Sequence, residues 1–193
     1  MLARILLLTM AAMICGTSCA PLRTQPSAIA FPHALSKNVF FEKNSYFLDK
    51  YQGESPSIEI VLSEQRAYLS LGGHLTGVSV LSTGREGYAT PTGHFHITQM
   101  DEEHRSTQFG DYMDADGRAV KKDVEAGKDP VPPGAHFVGS PMPYYMRIVG
   151  GTGMHEGFLP GYPDSHGCIR MPGVMAKAFF KAVSVGTPVT IRR

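Results

Sequence analysis

Two short stretches hold the residue types that nucleophilic catalysis needs: Ser165-His166-Gly167-Cys168-Ile169-Arg170-Met171 and, just upstream, Met154-His155-Glu156-Gly157. Cys168 supplies a nucleophile once deprotonated, because the thiolate attacks and the thiol does not. His155 and His166 can each take that proton or pair with the thiolate. Gly167 lets the backbone approach closely, and its N–H, with that of Cys168, can aim at a developing oxyanion. Arg170 offers a two-pronged clamp for a carboxylate. The run lies ahead of a helix opened by Pro172, and the positive potential of a helix start lowers a thiol pKa.

The cysteine count sharpens this. Three are present, Cys15, Cys19 and Cys168, and the first two fall in an export signal described below. The folded part then carries a single thiol and can form no internal disulfide. A leftover cysteine in an oxidising compartment is a liability unless it reacts usefully. The bland alternative is an inert Cys168 beside a satisfied core His166. The neighbours of Cys168 argue against it.

The elements that must position these residues read as mainly β. Ile58, Ile60 and Leu62 alternate with Glu59 and Val61, and a turn at Ser63-Glu64-Gln65-Arg66 leads to a second strand, Ala67 to Leu71. Gly72-Gly73 is a two-residue hairpin signal. Val78 and Val80 alternate next, and Ser82-Thr83-Gly84 ends that strand. Thr90-Pro91-Thr92-Gly93 reads as a turn, and His94 to Thr98 as a half-buried strand. Residues 99–136 are charged and glycine-rich without periodicity. They read as a long loop, with residues 101–136 as a lid over the Cys168 groove and a solvated insertion as the alternative. Tyr144 to Val149 is a further strand. One main helix follows, from about Met171 to Val183, with Pro172 in its first turn and Met175, Phe179 and Val183 four apart. Val189-Thr190-Ile191 is a last strand.

The chain opens with Arg4, then an apolar run from Ile5 to Ile14, then small residues to Ala20. That is the layout of a secretory signal, and too short for a spanning helix of about 20 residues. Residues 1–18 are the expected signal. Thr17-Ser18-Cys19 resembles a bacterial lipobox, in which Cys19 is lipidated and becomes the first residue; cleavage after Ala20 is the competing reading. Ala20 is not the Asp that retains such lipoproteins at the inner membrane, so the periplasmic face of the outer membrane is the expected location. Residues 19–55 read as a tether, with Phe40, Phe41, Tyr46, Phe47 and Tyr51 packing part of it on the domain. Residues 56–193 are the expected catalytic domain. Beyond the signal the chain carries 17 Lys+Arg against 17 Asp+Glu. A chain without net charge is a poor candidate for gripping nucleic acid phosphates or an anionic membrane surface.

Taken together, the Ser165–Arg170 run, the opening strands, the glycine turns and Gly186-Thr187-Pro188-Val189-Thr190-Ile191 resemble the L,D-transpeptidase (YkuD-type) family, over about residues 56–193. The resemblance implies a β-rich catalytic domain of β-sandwich or mixed-sheet type that cross-links bacterial peptidoglycan. It makes Cys168 the nucleophile and His155 the general base, oriented by the main chain at Glu156. Ser165 and His166 become inner-wall residues, Gly167 and Cys168 oxyanion-hole amides, and Arg170 the substrate-side residue. The implied substrates are peptidoglycan stem peptides. The acceptor is a neighbouring stem's diamino acid, the Lys of a wall-attached lipoprotein, or water, which would give a carboxypeptidase or amidase. No metal or organic cofactor is implied. A catalytically idle, lipid-anchored wall-binding tether is the alternative from another class.

Residue spacing argues against a metal site. His155-Glu156 lacks a second His four residues on, where Leu159 stands. His94 and His96 would share one strand face, and two alternate His on an exposed face are usually solvated. Asp114-Ala115-Asp116-Gly117 would start a calcium loop at Tyr112 and end it at Asp123, which does not fit. Tyr144 and Tyr145 read as core.

Overall fold

The computed structural model describes residues 39–42, 45–48 and 54–193. The expected signal, Cys19, most of the expected tether and the side chains of Phe40, Phe41 and Tyr51 lie outside the described residues. The strands run β1 (Val39–Glu42), β2 (Ser45–Leu48), β3 (Pro56–Val61), β4 (Arg66–Leu71), β5 (His74–Val80), β6 (Gly93–His96) and β7 (Gln99–Asp101). They continue as β8 (Arg105–Met113), β9 (Ala119–Glu125), β10 (His136–Pro141), β11 (Tyr145–Val149), β12 (Thr152–Glu156) and β13 (Ile169–Met171). Helix α1 (Gly173–Ala182) and β14 (Pro188–Arg192) complete the chain.

The strands form three sheets. A seven-stranded sheet has the order β1-β2-β5-β4-β3-β14-β6, a four-stranded sheet β13-β12-β11-β7, and a three-stranded sheet β10-β8-β9. The first two are mixed, since β14 pairs parallel with β3 and β12 parallel with β13. The mainly β expectation with one helix holds. Period-2 patterning decides which faces meet. Ile58, Ile60, Leu69, Leu71, Val189 and Ile191 of the large sheet are buried with Met146, Ile148, Met154, Ile169 and Met171 of the four-stranded sheet. Met175, Ala176 and Phe179 of α1 join the same core, each fully buried. The Gly72-Gly73 hairpin forms as expected, both residues at positive φ (56° and 82°), where side chains are rarely tolerated.

The structure differs from the sequence reading at three places. Residues 99–136 are not a loop: β7, β8 and β9 form there and β10 begins at its end. Only Gly110, Tyr112 and Val124 are buried on β8 and β9, so no apolar alternation advertises them. Helix α1 starts two residues later than expected, at Gly173, with Pro172 as its N-cap. Met171 precedes a proline, which disfavours helical backbone, and it pairs with Glu156 as strand. The turn expected at Thr90–Gly93 falls instead at Arg85–Tyr88, closed by Tyr88 N–H to Arg85 O at 2.9 Å. Phe47 packs on the domain as expected: it is buried in the core, and β2 pairs with β5 at the edge of the large sheet.

Candidate active site

The Ser165–Arg170 run is held from two sides. Ser82 and Arg170 exchange backbone hydrogen bonds at 3.0 Å each, and the Asp164 and Ser165 amides both donate to Thr83 O at 3.0 Å. On the other side β13 runs parallel to β12, with His155 opposite Arg170. Gly84 must be glycine, since a Cβ there would lie 1.9 Å from the Tyr88 carbonyl oxygen. Side-chain bonds fix the turn itself. Ser165 Oγ donates to Cys168 O at 2.5 Å and accepts from Gly167 N–H at 3.1 Å. Thr90 Oγ1 donates to Gly167 O at 2.9 Å. The Gly167 amide, read from sequence as an oxyanion-hole donor, is thus engaged by Ser165 in this state.

Cys168 and His155 line one groove of about 530 Å³, together with Ser165, His166 and Arg170. His155 Nδ1 lies 2.7 Å from Glu156 O. A carbonyl only accepts, so the proton sits on Nδ1 and the Nε2 lone pair is free. Burial pushes the His155 pKa down to about 4, against the pull of the Glu156 carbonyl; Arg170 and His104 add to the depression. His155 is therefore a neutral imidazole at pH 7.

His166 has a different fate. Arg85 Nη2 lies 2.7 Å from His166 Nε2. A guanidinium only donates, so that lone pair is occupied. Its ring stacks on Phe109 at 4.2 Å and meets Tyr88 edge-on at 4.7 Å. Burial, then Arg85 and Arg170, lower its pKa. Of the two histidines of the sequence motif, His155 alone presents a free lone pair with a fixed tautomer.

The expectation of a depressed thiol pKa is overturned. Burial raises the Cys168 pKa, and the opposing pull of the Gly153 N–H and of Arg170 is smaller. The helix start is not available to help, because β13 stands between Cys168 and Gly173, and a helix dipole acts within about its first turn. The thiol donates to Gly151 O at 3.4 Å, the same carbonyl that accepts from Tyr145 OH at 3.1 Å. A neutral thiol beside a neutral imidazole suits general-base activation at the moment of attack.

Arg170 Nη1 pairs with Asp164 Oδ2 at 3.1 Å and still lines the groove. Glu156, the residue after His155, turns away toward α1. Its carboxylate lies about 3 Å from where a side chain on Gly173 would begin. Sequence reasoning missed Arg85, Tyr88, Thr90, Phe109, His104 and Arg147. Thr90 stands in a quoted turn and Arg147 in a quoted strand, but neither context marks a site residue, and Arg85 and His166 are 81 residues apart. Tyr145 was read as core and is fully buried, yet its ring lies 6.4 Å from that of His155 and it lines the groove. His94 and His96 are exposed on β6. Among the described residues no cluster of three or more His, Cys, Asp or Glu is placed to hold a metal.

A family model described as the L,D-transpeptidase catalytic domain (YkuD) matches residues 55–191. Among solved structures, an L,D-transpeptidase from Stackebrandtia nassauensis aligns with TM-score 0.53 at 19% identity, over 75% of this chain and 60% of that one. An L,D-transpeptidase from Mycobacterium smegmatis aligns with TM-score 0.53 at 19% identity, over 73% and 60%. A mutant of an Enterococcus faecium L,D-transpeptidase aligns with TM-score 0.51 at 24% identity, over 72% and 50%. The chain thus spans about half to two-thirds of the length of these structures, and at such identities the likeness is one of fold. No curated protein sequence matches the chain significantly.

Proposed function

The chain belongs to the L,D-transpeptidase catalytic-domain family, and we propose that it performs cysteine-dependent acyl transfer on peptidoglycan stem peptides. The observation that carries this reading is the neutral His155, its tautomer fixed by Glu156 O, in one groove with the only cysteine of the domain.

In the proposed reaction His155 Nε2 takes the Cys168 proton as sulfur attacks the carbonyl at the L-centre of the third stem residue. The tetrahedral intermediate collapses to a thioester. The imidazolium returns its proton to the departing D-alanine amine. An acceptor amine, from the diamino acid of a second stem or a lipoprotein Lys, then attacks the thioester. His155 removes its proton, and the thiol is regenerated. Arg170 takes a substrate carboxylate, and the Cys168 N–H serves the oxyanion. Water at the second step would give trimming or release from the same intermediate. This work lies outside the inner membrane. The Arg4-to-Ala20 pattern supports export, and Thr17-Ser18-Cys19 supports lipid anchoring, by the reading given above.

Incubation with purified disaccharide-tetrapeptides tests the reading. A mass increase on Cys168 with loss of D-alanine, absent in Cys168→Ala, and dimeric products over time are expected. Intact muropeptides and an unmodified protein would overturn it.

A further inference from the structure

Two arginines and one glutamate line the groove, Arg147, Arg170 and Glu156. Their charges are not equally compensated. Arg170 is paired with Asp164. Glu156 is turned onto the start of α1. Arg147, on β11 between Gln99 and Gly153, has no acidic partner among the described residues. Its Nε is buried without a hydrogen-bond partner, the one such side-chain atom among the described residues. Its guanidinium carbon lies 5.8 Å from the centre of the Tyr145 ring. The Tyr145 hydroxyl in turn shares the Gly151 carbonyl with the Cys168 thiol.

A buried N–H donor left without a partner is costly, and no carboxylate among the described residues pairs with the Arg147 side chain. The Tyr145 side chain steadies the guanidinium through its ring and a hydrogen bond, which leaves other N–H donors of the five for a ligand. Those donors form a fork suited to a carboxylate.

We propose that Arg147, backed by Tyr145, is the anion subsite of the groove and binds a free carboxylate of the donor stem peptide, separately from Arg170. This rests on the reading that the groove takes a stem peptide. Arg147 is a specificity-determining residue and takes no part in proton transfer.

The test uses two probe pairs. Tetrapeptide donors with the diamino-acid carboxylate free or amidated report acylation of Cys168. Free-acid and amidated tripeptides, which lack the leaving D-alanine, report protection of Cys168 from iodoacetamide. A bond to a charged partner predicts that Arg147→Gln lowers kcat/KM for the free-acid donor by about 10–100-fold, mostly through KM. The amidated donor should lose little, and Arg147→Lys should recover part of the loss. Protection by the free-acid tripeptide should weaken in parallel. Equal losses with free-acid and amidated probes, or no loss with either, overturn the subsite. If the wild-type protein is protected by the free-acid tripeptide but acylated by neither donor, the transferase reading falls. The subsite then stands or falls on whether Arg147→Gln abolishes that protection. If no tripeptide protects the wild type, the subsite is wrong whatever the donors do.

Discussion

The two sheets that line the groove are built on opposite principles. The four-stranded sheet carries His155 and leads out of Cys168 into Arg170. It is buried along most of its length: Tyr145, Met146, Ile148, Met154, Ile169 and Met171 are all at most 3% exposed. The three-stranded sheet is held mostly at its surface. Lys121 pairs with Asp129 at 2.6 Å, Lys128 with Glu125 at 2.8 Å, and Arg118 with Asp116 at 3.2 Å, while Tyr112 and Val124 provide its small apolar centre. Exposed ion pairs contribute about 0–1 kcal/mol each, whereas burial of a large side chain contributes several times that. The dry sheet fixes the chemistry by withholding water from a thiol and an imidazole. The wet one reaches the groove with Ser106, Gln108 and above all Phe109, which stacks on His166. A wall held this way can tune substrate access without disturbing the reacting groups.

The largest effect should come from the dry side. His155→Gln should slow acylation by about 10²–10⁴-fold, as loss of a general base does. His166→Gln should slow it far less, since its Nε2 is already occupied by Arg85. Equal losses in the two folded variants, followed by the same mass assay, would erase the distinction drawn between the histidines.

Desolvation also predicts an acid limb of stability. The His155 pKa in the folded protein, about 4, lies below the ordinary 6.5. Protons therefore favour the unfolded chain between these values. The stabilisation from keeping His155 neutral is complete above pH 6.5 and is lost as pH falls toward 4, in all about 3 kcal/mol. Unfolding free energies from urea titrations at pH 7 and pH 4 should differ by that much less in His155→Gln than in wild type. An unchanged pH difference would mean that His155 is not held neutral by burial. The same dryness sets the thiol: iodoacetamide alkylation of Cys168 should keep rising with pH past the ordinary cysteine range, because its pKa is raised. A rate already level at pH 7 would contradict this.

On the wet side effects should be smaller. Phe109→Ala removes a stacked ring pair of about 0.5–1.5 kcal/mol. Stem-peptide turnover should change by about 3–10-fold, with iodoacetamide alkylation of Cys168 nearly unchanged. If both fall together, the three-stranded sheet supports the reacting groups rather than only the substrate. Smallest of all, Asp116→Asn breaks an exposed pair at the β8–β9 turn and should shift stability by less than about 0.5 kcal/mol. A larger loss in a denaturant titration would show that this sheet is more tightly coupled than its surface bonds imply.

Much of the architecture was legible in the residues. The alternation of Ile58 and Ile60, the Gly72-Gly73 hairpin and the four-residue spacing of Met175 and Phe179 are local patterns, and each formed where one face could be buried. The run from Ser165 to Arg170 named its own chemistry, because a thiol, an imidazole, a glycine and a guanidinium so close together have few other uses. What the sequence did not determine depends on distance through space. The strands at 105–113 and 119–125 bury too little to leave a period-2 trace. Whether His155 or His166 keeps a free lone pair turned on Glu156 O for one and on Arg85 for the other. The direction of the Cys168 pKa was misread from a nearby helix start, because a strand intervened and burial outweighed the charges. Hydrophobic period is written along the chain, so sequence determined most strands of the large sheet and β11 of the four-stranded one. Desolvation and hydrogen-bond partnership arise only when distant segments close on one another, so tertiary structure alone decided the protonation of the site.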